Sequence, residues 1–133
     1  MNVSYGEQVA KNQVLDRNYT LEQPTVAIKA ASQKLFTLLM TDPDATPPSW
    51  LHWMVTNIPG DMPSIENGDV VVAYAPPTPP SGTHTYVFTL YEQVSSIIVP
   101  TPEQRGNFNV REFVYRYALG KPLISRKIRV MAK

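Results

Sequence analysis

Leu35-Phe36-Thr37-Leu38-Leu39-Met40-Thr41 and Leu51-His52-Trp53-Met54-Val55-Thr56-Asn57-Ile58 are the stretches on which the fold turns. Both have strand length and are apolar at odd and even positions alike, whereas a half-exposed strand alternates apolar with polar residues. Such strands need cover on both faces, so layered sheets or a sandwich are expected. Four further runs, 25–30, 70–74, 86–93 and 123–131, carry the Val, Ile, Thr and aromatic content of strands. Thirteen prolines against six glycines cluster between the runs. Proline fixes φ and cannot donate to a central ladder, so these clusters mark rigid loops.

One segment breaks the pattern. Val110, Phe113, Val114, Tyr117 and Ala118 fall on a single stripe at helical spacing. Asn109 stands where an N-cap belongs, Glu112 three residues later completes a capping box, and Glu112 and Arg116 form an i, i+4 pair. Gly120 and Pro122 supply the stop. The expected fold is therefore mostly β with a short late helix at about 109–119. A chain of 133 residues, 43% hydrophobic and 17% charged, reads as one globular domain over 1–133.

Charge and composition exclude several classes of function. Twelve Lys plus Arg against eleven Asp plus Glu leave a formal net charge of +1, so nothing global draws the chain directly onto nucleic acid. The absence of cysteine removes disulfides, thiolate metal sites and cysteine nucleophiles. No stretch approaches the ~20 apolar residues of a membrane span, and residues 1–10 lack an export signal, so a cytoplasmic location without a transmembrane segment is expected. Neither GxGxxG nor GxxxxGK[ST] occurs, so any phosphate would be held by side chains and turn amides.

Three polar groups at strand ends stand out. Asp42-Pro43-Asp44-Ala45-Thr46-Pro47-Pro48 fixes two carboxylates on a stiff turn, although Asp and Pro are also ordinary turn formers. In Trp50-Leu51-His52-Trp53 a histidine stands among bulky residues, where a hydrogen-bonded core role is the bland alternative. In Gly82-Thr83-His84-Thr85-Tyr86, period-two alternation puts His84 and Tyr86 on one face. The chain has only two histidines, and each begins a strand after a Pro-rich turn. Were those strands neighbours, His52, His84, Tyr86 and Asp42 would form a small cleft suited to a phosphate or carboxylate group.

These segments, in this order, resemble the phosphatidylethanolamine-binding protein family, which includes the Raf-kinase inhibitor proteins of animals and the florigen-type regulators of plants. Asp42-Pro43-Asp44-Ala45 matches the DPDAP box, with Thr46 in place of its last proline. Residues 50–59, WLHWMVTNIP, are close to the plant YLHWLVTDIP segment with the animal Trp at its first position. Pro79-Pro80-Ser81-Gly82-Thr83-His84 is similar to the PP-x-G-x-H-R box, with Thr85 in place of Arg. Asn107-Phe108-Asn109-Val110-Arg111-Glu112-Phe113 resembles NFNTREF, and Asn2-Val3-Ser4-Tyr5-Gly6 resembles an early family strand. Against longer members, the loop 46–49 reads as shortened, and neither the usual N-terminal extension nor the C-terminal helix of animal members is expected.

The resemblance implies a large antiparallel sheet with a smaller second sheet, and a shallow anion pocket for phosphate-bearing head groups of phospholipids. By matching positions, Asp42, His52, His84 and Tyr86 line it, with Trp50 and Gly82 at its edge. It also implies a signalling regulator, kinase-inhibitor-like, that meets a protein kinase or other signalling protein. The rim for such a partner is Trp50, the loop 76–82 and the segment 101–107. Asp42 is left to orient a histidine, accept an amine or share a proton. No cofactor, metal or enzymatic activity is expected. The rival reading takes His52, His84 and Asp42 as a metal-dependent or acid–base hydrolase, without an HExxH or GxSxG motif to support it. Five of twelve basic residues lie in 121–133 and are read as solvent-facing charges on an edge strand.

Overall fold

The computed structural model describes residues 1–45 and 49–132. Thr46, Pro47 and Pro48, where the turn departs from the DPDAP box and the loop is shortened, lie outside the described residues, as does Lys133. Along the chain run β1 (Asn2–Tyr5), β2 (Gln8–Val9), β3 (Val14–Leu15), β4 (Thr25–Ala27), β5 (Leu35–Asp42), β6 (Trp50–Pro59), β7 (Asp69–Val72), β8 (Thr83–Gln93), α1 (Val110–Arg116) and β9 (Ile124–Met131). They form a three-stranded sheet, β2-β1-β4, and a six-stranded sheet, β3-β9-β8-β5-β6-β7. Every pairing is antiparallel except β3 with β9.

Mostly β with two sheets and a short late helix is thus the observed class. The doubly apolar strands β5 and β6 are central and buried along nearly their whole length. One face of the large sheet packs Phe36, Leu38, Met40, Trp53, Phe88 and Ile128 against Val3, Tyr5 and Val26 of the small sheet. The other face packs Leu39, Leu51, Met54, Val72 and Tyr91 against Phe113 of α1 and Leu119.

The helix starts as its sequence dictates. Asn109 caps it by accepting from the Glu112 amide at 2.9 Å. Glu112 and Arg116 approach to 3.8 Å. Its end is earlier than 119: Ala118 adopts φ +53° and is exposed, and Leu119 takes the buried place expected of it. The runs at 25–30 and 70–74 also shorten, to β4 and β7. A second correction concerns β9, which is not an edge strand over its whole length. β3 pairs with it at Arg129 and Val130. Lys127 and Arg129 face outward, but Arg126 lies half-buried on the same alternation as Ile124, Ile128 and Val130.

Candidate functional site

Antiparallel pairing brings three strand ends to one edge of the large sheet: β5 finishes at Asp42, where β6 begins at Trp50 and β8 at Thr83. The two histidine strands are not neighbours, because β5 runs between them. The four residues still meet, since Asp42 ends that intervening strand. Asp42, Trp50, His52, His84 and Tyr86 line a cleft of about 310 Å³, walled by Arg105 and by prolines of the segment that follows β7.

A bulge aims His52 into this cleft. Met40 pairs with Trp53 and Thr41 with Leu51, so His52 is the extra residue in β6. An extra residue breaks strict alternation and redirects a side chain. Leu51 joins the helix-side core and Trp53 the inter-sheet core, while the His52 ring stands edge-on to Tyr86 with centroids 5.1 Å apart. The His84 ring stacks beside the same tyrosine at 6.4 Å.

Both imidazoles are held by one nitrogen. His52 Nδ1 lies 2.7 Å from the Ala75 carbonyl and His84 Nδ1 lies 2.7 Å from Asp42 Oδ2. A carbonyl and a carboxylate can only accept, so each Nδ1 carries a hydrogen and each Nε2 is left over. Neither Nε2 has a hydrogen-bond partner among the described residues. Asp42 therefore orients His84, and its second oxygen accepts from the Asp44 amide at 2.9 Å. Asp44 in turn accepts from the Thr85 amide at 2.9 Å. The two turn carboxylates stitch the end of β5 to the start of β8 at the position where the box arginine is replaced.

Burial raises the Tyr86 hydroxyl well above its ordinary pKa, and the negative charge of Asp42 adds to that effect, so Tyr86 remains a neutral donor. Burial likewise lowers His52 below its ordinary value of 6.5; Ala75 and Asp42 oppose this, while Arg105 and His84 reinforce it. Unfolded protein then binds more protons than folded protein just below pH 6.5, and stability falls as pH drops through that window. His52→Asn, whose amide can still donate to Ala75, is expected to flatten this slope. Urea midpoints between pH 5 and 7 check it; parallel wild-type and variant curves would contradict the assignment.

Arg105 was not singled out from sequence, because one arginine in a polar loop carries no motif. Its Nη1 donates to the Leu51 carbonyl at 3.2 Å and the His52 carbonyl at 3.0 Å, and its Nη2 to the Ala73 carbonyl at 2.9 Å. The Arg105 carbonyl accepts from the Leu51 amide at 2.8 Å. This clamp holds the bulge and the cleft wall together. Arg105→Met keeps the aliphatic stem but loses three bonds to a charged donor, and about 2–3 kcal/mol of stability should go with them. Lysine should not rescue it, since one ammonium cannot reproduce the fork; equal melting temperatures for Lys and Arg would refute the clamp.

Gly82 does not line the cleft. It turns the chain into β8 with φ +67°, and its carbonyl accepts from the Ala132 amide at 2.8 Å. Among the described residues no group of three or more His, Asp or Glu side chains gathers to hold a metal ion. None of their helices is long and apolar enough to cross a membrane.

Two packed sheets with a polar cleft at one sheet end, built from a DPDA turn, a bulged histidine and a second histidine after a proline-rich loop, define a narrow class of protein. The sequence profile of the phosphatidylethanolamine-binding protein family matches residues 5–127, and the chain belongs to that family. It is 40% identical over 133 residues to the protein MOTHER of FT and TFL1 homolog 2 of Oryza sativa, which covers 92% of this chain and 75% of the relative. It is 39% identical over 132 residues to TERMINAL FLOWER 1 of Arabidopsis thaliana, covering 92% and 74%. The CG7054 solution structure superposes with a TM-score of 0.78 at 32% identity, covering 99% of this chain and 84% of that one.

Proposed function

We propose that the cleft is a non-catalytic binding site for a phosphate-bearing head group of the phosphatidylethanolamine type, and that the protein acts as a cytoplasmic regulator whose rim meets a protein partner such as a kinase. One observation carries this reading: two imidazoles, each anchored through Nδ1, leave both Nε2 atoms unpartnered among the described residues in one cleft. The Tyr86 ring packs against both imidazoles, and its neutral hydroxyl is a donor beside the Nε2 atoms, which become donors on protonation. Ionised Asp42 opposes an anion, so its part is to orient His84. A relative named TERMINAL FLOWER 1 supports a regulatory over a metabolic role. The hydrolase reading is not favoured, because both Asp42 oxygens are committed, to His84 and to the Asp44 amide.

Binding an anion to neutral His52 requires proton uptake at Nε2, so affinity should fall as pH rises from about 6 to 8. A phosphate monoester loses its own second proton near pH 6, which obscures this trend. Sulfate stays a dianion across the range and isolates the protein's contribution. Calorimetry with phosphorylethanolamine, inorganic phosphate, sulfate and ethanolamine tests the reading. Binding of the anions, weakening for sulfate with pH and absent for ethanolamine, is expected; ethanolamine alone binding would contradict it.

A further inference from the structure

The segment that walls the cleft reads Ala75-Pro76-Pro77-Thr78-Pro79-Pro80. Thr78 is exposed, lines the cleft mouth, and its hydroxyl has no hydrogen-bond partner among the described residues. Pro77 and Pro79 on either side are buried and hold it at the rim. Residues 73–79 form neither strand nor helix, and four of the five residues 76–80 have no N–H to contribute to a ladder. Ala73 and Ala75 are tied to Arg105 and His52, so only 76–80, which contribute no ladder bonds, need lift from the surface for presentation to a modifying enzyme. Thr78 is also followed directly by proline, the sequence step that proline-directed protein kinases select.

From this juxtaposition, an exposed Thr-Pro hydroxyl at the mouth of a cleft lined by two imidazoles and a phenol, we propose that Thr78 is a phosphorylation site and that its phosphoryl group occupies the cleft intramolecularly. The proposal rests on the reading of the cleft as an anion site. The co-substrate is a nucleoside triphosphate: a bond forms from Thr78 Oγ1 to the γ-phosphorus, the bond from that phosphorus to the β,γ-bridging oxygen breaks, nucleoside diphosphate leaves, and the hydroxyl proton passes to the kinase's base. The product carries about −1.5 to −2 charge and three acceptor oxygens, the complement of the Tyr86 hydroxyl and of the two Nε2 atoms once the imidazoles take up a proton. A tethered ligand acts at an effective concentration on the order of millimolar, so a free headgroup of modest affinity is displaced. Modification would then switch the cleft off without altering its lining.

The test uses the whole protein with phosphothreonine installed at 78, compared with unmodified protein, in titrations with inorganic phosphate followed at the imidazole signals of both histidines. The modified protein is expected to show shifted imidazole signals before any addition, reversed at His52 by H84A, and to bind added phosphate at least about tenfold more weakly. Equal phosphate affinity with unshifted imidazoles would overturn self-occupancy and leave the anion site standing. Shifted imidazoles in the modified protein, with no phosphate binding by the unmodified one, would support self-occupancy while removing the free-headgroup reading. Treatment of folded protein with a proline-directed kinase and γ-labelled ATP should place label at Thr78; label confined to the other two Thr-Pro steps, at Thr46 or Thr101, would refute the modification.

Discussion

Asp42→Ala is expected to lower the melting temperature by roughly 10 °C and to abolish measurable anion binding. The carboxylate is 3% exposed and makes two bonds at once, to His84 Nδ1 and to the Asp44 amide. Its removal leaves a buried N–H without an acceptor, at about 1–3 kcal/mol, and frees the turn that joins β5 to β8. A cost on the order of 2–4 kcal/mol follows. The imidazole then loses the partner that points Nε2 into the cleft. Asp42→Asn separates charge from orientation. Its amide oxygen can still accept from Nδ1, while its NH2 meets the Asp44 amide and that bond is lost, so part of the stability should survive and anion affinity should hold or rise, because a negative charge has left the cleft. Thermal melts and calorimetry on the pair decide the matter; an alanine variant as stable and as active in binding as wild type would refute the orienting role.

Gly60→Ala should be more damaging still, well away from the cleft. A Cβ at Gly60 would overlap the Ala31 carbonyl oxygen and stand 2.9 Å from that of Lys34. Neither oxygen can retreat, because the same backbone is tied in place: Gly60 donates to Lys34 at 2.7 Å, Ala31 to Gly60 at 2.9 Å and Lys34 to Ala31 at 3.1 Å. Loss of more than about 4 kcal/mol is expected, a fall in melting temperature of more than about 10 °C. Gly6→Ala is the control. Gly6 has φ +60° but open space around its Cβ position, so only the left-handed backbone penalty of about 1–2 kcal/mol applies. Circular dichroism melts distinguish the two, and a Gly60→Ala protein as stable as Gly6→Ala would contradict the packing of this turn.

The fold was legible where hydrophobic pattern and burial coincide. Residues 35–41 and 51–58 announced themselves as doubly covered strands, and Asn109 announced the start of α1. β2 and β3 escaped notice because two-residue strands such as Gln8–Val9 and Val14–Leu15 are too short to show a period. Their pairing is decided by distant partners, with Val14 and Leu15 meeting Arg129 and Val130. The cleft was legible as an inventory of Asp42, Trp50, His52, His84 and Tyr86, drawn from strand-end placement and then from the motif resemblance. What the residues could not reveal was how His52 reaches it. A strand apolar on both faces hides a bulge, and the one at His52 changes which side of the sheet the imidazole occupies. Arg105 was hidden for a related reason: its three acceptors are main-chain carbonyls, which leave no trace in side-chain identity. Gly82 was assigned to the pocket edge by motif alone, whereas its role is to turn the chain into β8.

The central claim is that the two Nε2 atoms left without a partner among the described residues receive one anion. The most direct measurement is an NMR titration of the protein with phosphorylethanolamine, following the imidazole signals of His52 and His84, repeated with the His84→Ala variant. Saturable shifts at both histidines with a common dissociation constant, lost or strongly weakened at His52 in the variant, are predicted. Imidazole signals that stay unchanged through the titration, or that move with unrelated dissociation constants, would contradict it.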